Sequence, residues 1–380
     1  LNTASGSFAL YSNTEGDENT ASGYQALYTN TTGAGNTASG SSALFYNTGD
    51  NNTASGYKAL YKNNSGFSNT ASGMSALYFN TEGKKNTASG AMALYKNTEG
   101  DENTASGAMA LYKNTEGHEN TASGYSALYN NLAGDRNTAM GYKSLYFNTQ
   151  GLYNTAIGYY SLYDNTGDRN TSSGYKSMEN NVGGGNNVAT GYKAGDAITT
   201  GSNNVMIGAY ADPNTSNASN QIVIGYGTTG QANNSVTLGN SSVTRVYAAQ
   251  DGDAVLYANG TINTSDARLK ENIKSLTHGL DFIMNLNPVS YVKMKLKDFL
   301  NSSSGEPENK KFEIGLLAQE VEEASESLGF ENKIVSVGED GIYRMDYSKI
   351  IMPLVKGMQE QQEMIESLRE EIEILKSKMD

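Results

Sequence analysis

The sequence predicts a mainly β chain: a β-roll or β-solenoid of 17-residue repeats, followed by a small α+β domain that ends in a coiled-coil helix. Three observations predict it. A pentapeptide returns at a fixed period through most of the chain, turn-forming residues hold fixed offsets within each period, and a heptad of apolar residues closes the sequence.

The pentapeptide Asn-Thr-Ala-Ser-Gly begins at Asn2, Asn19, Asn36, Asn52, Asn69, Asn86, Asn103 and Asn120, and variants continue it at Asn137, Asn154, Asn170, Asn187 and Asn204. The steps are 17 residues, with 16 at two places. Degenerate copies follow at Gln221-Ile222-Val223-Ile224-Gly225 and Ser235-Val236-Thr237-Leu238-Gly239. Each unit also carries a triplet such as Ala26-Leu27-Tyr28, Ala93-Leu94-Tyr95 or Ser144-Leu145-Tyr146, and a turn such as Asn97-Thr98-Glu99-Gly100. Asn and Gly at fixed offsets read as turn chemistry, because both tolerate positive φ. Between the turns lie two strand-sized runs per unit. So short a unit cannot bury its own apolar residues, whereas stacked units make one continuous core. At about 4.8 Å per strand, roughly fourteen units would make a rod on the order of 65 Å long. Small residues such as Ala21, Gly23 and Ala26 suit close approach of neighbouring backbones. Few large apolar residues fall in each repeat, so several chains are expected to share the core, most simply as a homotrimer.

Composition excludes several function classes. The net charge is −13, and the 15 basic and 22 acidic residues from Ser265 onward leave −7 there and −6 before it. Neither part has the positive field of a nucleic-acid binder. With no cysteine and two histidines, the chain offers no disulfide framework, no cysteine-ligated metal and no histidine cluster, and no cofactor or metal is expected. The lack of cysteine fits a virion or extracellular setting. No run of 18 apolar residues exists to span a membrane as a helix. Acids of the repeats (Glu15, Asp17, Glu99, Asp101) sit in variable turns rather than paired on a groove, which argues against sugar hydrolysis there. Recurrent tyrosines (Tyr24, Tyr28, Tyr61, Tyr95, Tyr112, Tyr129) either pack the spacer or stack glycans of a host surface; a glycan or protein receptor is the further partner expected besides the homotrimer. Thr3, Thr20 and Thr37 recur without a Thr-x-Thr pair, against an ice-binding face, and Gly183-Gly184-Gly185-Asn186 does not continue into a calcium-roll nonapeptide.

The pattern changes after Gly239. Val243-Thr244-Arg245-Val246-Tyr247 and Ala254-Val255-Leu256-Tyr257 read as short strands split by turns at Asp251-Gly252 and Asn259-Gly260. Gly279 to Leu286 reads as a short helix and Pro288 to Met294 as a strand. Glu313-Ile314-Gly315-Leu316-Leu317-Ala318-Gln319-Glu320-Val321 leads from strand to helix, and a hairpin turns at Gly338-Glu339-Asp340-Gly341. From Ser348 the chain is helical. Ile351, Met358, Ile365, Ile372 and Met379 fall seven apart, with Leu354, Gln361, Leu368 and Leu375 between them, which is a coiled-coil seam. The expected divisions are a repetitive fibre at 1–240, a β-rich connector at 241–264, a third domain at 265–349 and the helix at 350–380.

Two resemblances follow from these residues. The late units, Asn204-Val205-Met206-Ile207-Gly208 and Val236-Thr237-Leu238-Gly239, are similar to the β-roll heads of trimeric autotransporter adhesins over about 185–245. The other runs over about 262–380. Ser265-Asp266-Ala267-Arg268-Leu269-Lys270, then Gly315-Leu316-Leu317-Ala318-Gln319-Glu320-Val321-Glu322-Glu323, then a hairpin ending Met345-Asp346-Tyr347, then a helix, together resemble the C-terminal intramolecular chaperone domain of phage tailspikes and endosialidases. That resemblance implies a module that trimerises its fibre and then cuts itself off with a Ser–Lys dyad. Carried over, the nucleophile is Ser265, the base is Lys270 and the scissile bond is Thr264–Ser265; Asp266 and Arg268 also fit the pattern, with their roles open. The function implied is a phage-type tail fibre or tailspike segment that self-cleaves once, located on a virion tail or outside a cell. The alternative is a cell-surface adhesin or an injection-machine fibre that uses the same module.

The chemistry sets a condition on such a dyad. A serine hydroxyl needs a base, and a lysine serves as one only where burial lowers its pKa. The pair would be silent in the lone chain and active after assembly. Residues five apart lie about 140° apart on a helix and on opposite faces of a strand, so the two meet across an irregular turn or between chains. Spacing alone would give Ser265 or Asp266 a helix-capping role and leave Lys270 in solvent.

Overall fold

The computed structural model describes residues 1–246, 270–292, 312–338 and 341–379. The chain divides into two compact units, Leu1–Thr244 and Arg245–Asp380.

In the first unit fifteen strands, one per turn, pair in parallel and in chain order from Thr3–Ser5 to Ser235–Leu238. The register is the same from rung to rung: Thr87 faces Thr104, Ala88 faces Ala105 and Ser89 faces Ser106. The two-residue alternation of a strand places the central alanine inside and sends Thr and Ser outward. Ala88, Ala93 and Leu94 are fully buried, and so are their counterparts in most turns. This is the β-solenoid that the period predicts. Its interior is complete within one chain, however, which corrects the expectation of a core shared among chains.

Asparagines supply the rest of the interior. In Asn86 the backbone N–H donates to Asn69 Oδ1 at 2.9 Å, and its side-chain Nδ2 donates to the Gly100 carbonyl at 2.8 Å. A second column runs beside it: Asn97 Nδ2 donates to Asn80 Oδ1 at 2.7 Å and to the same Gly100 carbonyl at 2.8 Å. Asn69, Asn80, Asn86 and Asn97 have no exposed surface. Buried amides are tolerated only when paired, and here each amide bonds to the next turn. The recurrent asparagines were expected to supply positive φ. They do not; before the pentapeptide asparagines the preceding residue does, as at Lys85 (φ 52), Glu102 (φ 57) and Glu119 (φ 55), and before Asn97 it is Leu94 (φ 50), three residues earlier.

The Ala-Leu-Tyr segment also departs from expectation. It is a turn in nearly every unit, and only Tyr46–Asn47 and Lys62–Asn63 pair there as two-residue strands. The turn is tight because alternate residues are left-handed: Met92 has φ 57 and Leu94 has φ 50. That conformation costs a non-glycine residue about 1–2 kcal/mol. Full burial of a leucine side chain returns about 2–3 kcal/mol, and the Leu94 N–H still donates to the Ala110 carbonyl at 2.9 Å. Burial wins. Beyond each leucine the tyrosines stack along the column, with Tyr95, Tyr112 and Tyr129 at centroid spacings of 5.1 and 5.0 Å and interplanar angles of 3° and 2°.

The second unit mixes short strands with helices. Helix α1 (Leu280–Met284) precedes the strand Val289–Val292, which pairs antiparallel with Phe312–Gly315. Helix α2 (Ala318–Ser327), a hairpin of Val335–Val337 with Tyr343–Met345, a 3-10 turn at Tyr347–Ile350 and the 27-residue helix α3 (Ile351–Ser377) follow. Phe282, Val321, Ala324 and Ile334 form its core. In the expected connector, residues 243–246 form no strand, while Tyr247 and 254–257 lie outside the described residues.

Two outcomes test this account. Asn97→Asp keeps the shape but removes two donors from a buried site and sets a carboxylate against the Asn80 and Gly100 oxygens. Urea unfolding should show a loss of at least about 3 kcal/mol, more than for Asn97→Ala. Near the end of the solenoid, burial pushes the Asp212 carboxyl up to about 6; the Ala197 N–H opposes that rise and the Asp196 carboxylate adds to it. A carboxyl raised in the folded state costs stability above its folded pKa and returns it as pH falls toward the ordinary value of 3.8. The melting temperature of the solenoid should therefore rise between pH 7 and pH 5. Asp212→Asn should raise it at pH 7 and flatten that rise.

Candidate self-cleavage and assembly site

Helix α3 presents two faces. On one, Pro353 and Gly357 are buried, and the missing side chain of Gly357 lets α1 approach closely. A Cβ on Gly279 would lie 2.6 Å from the Gly357 nitrogen, so the contact is backbone on backbone. Glu360 Oε2 accepts from the Leu280 N–H at 2.7 Å, which caps the start of α1, and Lys356 reaches the same carboxylate group at 3.4 Å. The heptad lies on a different face, about 100° round the helix. Ile351, Leu354, Met358, Ile365, Leu368, Ile372, Leu375 and Met379 are all exposed, at 39–87 % of their full surface. An apolar seam this long is open in the single chain, against the usual rule for helices of this length.

The two motifs quoted from the sequence meet in this unit. Gly315 ends a strand and Leu316 leads into α2; the Leu316 N–H donates to Tyr347 Oη at 2.8 Å. Asp346 caps the following turn through the Ser348 N–H at 3.1 Å, and it also accepts from the Ser348 hydroxyl, which does most to hold its carboxyl below the ordinary range, with the N–H adding to it. Asn332 ties α2 to the hairpin: its Nδ2 donates to Ser325 Oγ and to the Phe330 carbonyl, both at 2.9 Å, and its Oδ1 accepts from the Ile334 N–H at 2.9 Å. Thus Gly-Leu-Leu-Ala-Gln-Glu-Val and Met-Asp-Tyr are parts of one packed scaffold.

Of the residues assigned to cleavage, Thr264, Ser265, Asp266 and Arg268 lie outside the described residues. Lys270 lies within them, exposed on irregular backbone ahead of α1. His278, close by, is engaged elsewhere: its Nδ1 is 2.7 Å from Asp281 Oδ2 and its ring lies 5.4 Å from that of Phe330. The histidine holds the Asp281 carboxyl below the usual range. Sequence reasoning missed Glu360, whose partner is 80 residues away in the chain. Its only local signal was a charged residue on the helix flank away from the seam.

The tyrosine column bears on the receptor reading. Rings stacked at about 5 Å on both sides cover each other's faces, so Tyr28, Tyr61, Tyr95, Tyr112 and Tyr129 offer edges rather than platforms for sugars. No helix among the described residues is long and apolar enough to cross a membrane.

The close approach of the two helices predicts a steric effect. Gly279→Val should force α1 off α3, and a calorimetric scan should show the C-terminal unit destabilised by about 1–3 kcal/mol while the solenoid transition stays in place.

No curated protein and no solved structure matches the chain. One protein family does: residues 265–330 match the peptidase family described as chaperone of endosialidase. That family implies self-cleavage and trimeric assembly, and its domain is typical of phage tail fibres and endosialidases. The chain therefore carries a chaperone-of-endosialidase domain at 265–330, downstream of a β-solenoid of about 17 residues per turn.

Proposed function

We propose that the chain is a tail-fibre or tailspike segment whose C-terminal unit gathers three copies, sets their register and then releases itself by cutting Thr264–Ser265. The observation that carries this reading is the open heptad seam of α3, an assembly surface that no described residue of its own unit covers. Support also comes from the start of the family match, which falls at Ser265.

In the proposed reaction, assembly buries Lys270 in its neutral form beside Ser265. Lys270 Nζ accepts the proton of Ser265 Oγ, and the oxygen attacks the Thr264 carbonyl carbon. The C–N bond breaks, the proton passes from Lys270 to the departing nitrogen of Ser265, and an ester joins Thr264 to Ser265 Oγ. Water hydrolyses that ester, which leaves the Thr264 carboxylate and a free Ser265 hydroxyl and amine. A base that becomes available only on burial couples the chemistry to assembly. Release of the domain then removes the nucleus for disassembly, and the fibre gains kinetic stability.

Denaturing gels with intact mass test this directly. The wild-type chain should give two fragments that meet between Thr264 and Ser265, whereas Ser265→Ala and Lys270→Ala should stay whole yet still assemble. Ile365→Lys with Leu368→Lys, which breaks the seam without touching the dyad, should leave the chain uncut. A wild-type chain that assembles and remains whole would refute self-cleavage.

A further inference from the structure

The outward face of the solenoid sheet carries no charge at all. Two residues per strand point outward across fifteen strands, and none is Asp, Glu, Lys or Arg, in a chain where 18 % of residues are. The charged residues of the repeats gather instead on the turns, where Lys85 pairs with Glu102 at 2.8 Å and Arg136 with Glu119 at 3.0 Å. A solvated parallel sheet face of this length without charge is unusual, because such a face is ordinarily covered.

The face is also graded along the stack. From Thr3–Ser5 to Thr121–Ser123 every strand presents a threonine and a serine. Met140 and Ile157 then replace the serine, Thr171 and Ser173 restore the hydroxyl pair, Val188 stands beside Thr190, and the last three strands are apolar at both outward positions: Val205 and Ile207, Ile222 and Ile224, Val236 and Leu238. Ile207, Ile224 and Leu238 are 42, 37 and 48 % exposed in the single chain. A second aromatic column borders this end of the face, with Tyr142, Tyr159, Tyr175 and Tyr192 stacked at 5.0–5.3 Å.

We infer that this face is where copies of the same chain meet, parallel and in register, with its last three strands as the apolar clamp and its hydroxyl rows as the polar remainder. The gradient selects the occupant. Parallel copies place like against like, apolar end on apolar end, and hydroxyl rows opposite hydroxyl rows, where each group can both donate and accept. Antiparallel copies would bury the Val and Ile end against threonine and serine, and a charged partner would find no counter-charge. The area is adequate: fifteen strands at about 4.8 Å, each about 10 Å long, make roughly 700 Å² per copy, near the ~800 Å² per partner of a stable interface. This inference rests on the proposed assembly for the number of copies and adds which surface joins them.

The absence of native cysteine makes a direct test possible. Single cysteines would be placed in the full chain at the face (Ser106→Cys, Ile207→Cys) and on a charged turn (Glu116→Cys), followed by oxidation or a short bis-maleimide. In-register copies should give covalent dimers from both face positions and none from the turn. A chain that is multimeric by light scattering but gives no face cross-link overturns this inference and spares the proposed function; a monomeric wild-type chain overturns both. Face cysteines that stay open to a monofunctional maleimide in the assembled chain would assign the face to another ligand, and overturn it too. As a second readout, Ile207→Glu with Ile224→Glu should lower the thermal transition of the assembled solenoid by more than 5 °C. Both residues are exposed in the single chain, so a merely structural role predicts almost no shift.

Discussion

Two buried amide columns hold the solenoid together, and most of its other features follow from them. A strand of three residues offers few ladder bonds, and a core of alanine and leucine is thin. The asparagines add one inter-turn contact per column per turn, and both columns end on the same glycine carbonyl, as Asn86 and Asn97 do on Gly100. That carbonyl then has both of its acceptor positions filled. An amide network of this kind rewards only complete satisfaction, so it admits one pitch and one register. The alanine column, the leucine column and the stacked tyrosines inherit that pitch.

The left-handed leucines show what this constraint demands elsewhere. A turn of about 17 residues must close on itself in a small circuit, and the chain does so by reversing φ at residues such as Leu27, Leu94 and Leu145 (φ 51, 50 and 50). Glycine there would relieve the backbone and empty the core. Leucine takes the strain and fills the space, and the magnitudes favour leucine. Glycine is kept where a side chain has no room, as at Gly90, where a Cβ would lie 2.6 Å from the Gly107 carbonyl carbon.

Much of this was legible in the sequence, because period is a property of sequence. The pentapeptide located nearly every main strand, the Gly-Leu-Leu-Ala-Gln-Glu-Val run marked the entry to α2, and the heptad marked α3 and its seam. What local patterns could not convey was the tertiary role of a residue. Asparagine looked like a turn former, yet its amide is interior and its neighbour carries the positive φ. Ala-Leu-Tyr looked extended, yet circuit closure bends it. Val243 to Val246 looked like a strand because it is β-branched, and no partner strand is there among the described residues. The closure of each turn's interior was equally invisible, since a short unit gives no hint that one chain suffices. For the proposed self-cleavage, the sequence named Ser265 and Lys270 by resemblance; physical spacing alone favoured a cap and a solvated amine.

Because every rung touches only the one before and the one after it, the length of the fibre is a free variable. Duplication or deletion of one coding unit would add or remove a single step of about 4.8 Å and leave both ends unchanged. The 16-residue steps at Asn36 to Asn52 and Asn154 to Asn170 show that even imperfect copies are accommodated, with the strand pairing unbroken across them. Such a molecule can be lengthened or shortened by recombination between its own repeats, and its solenoid can change length without any change in the C-terminal unit.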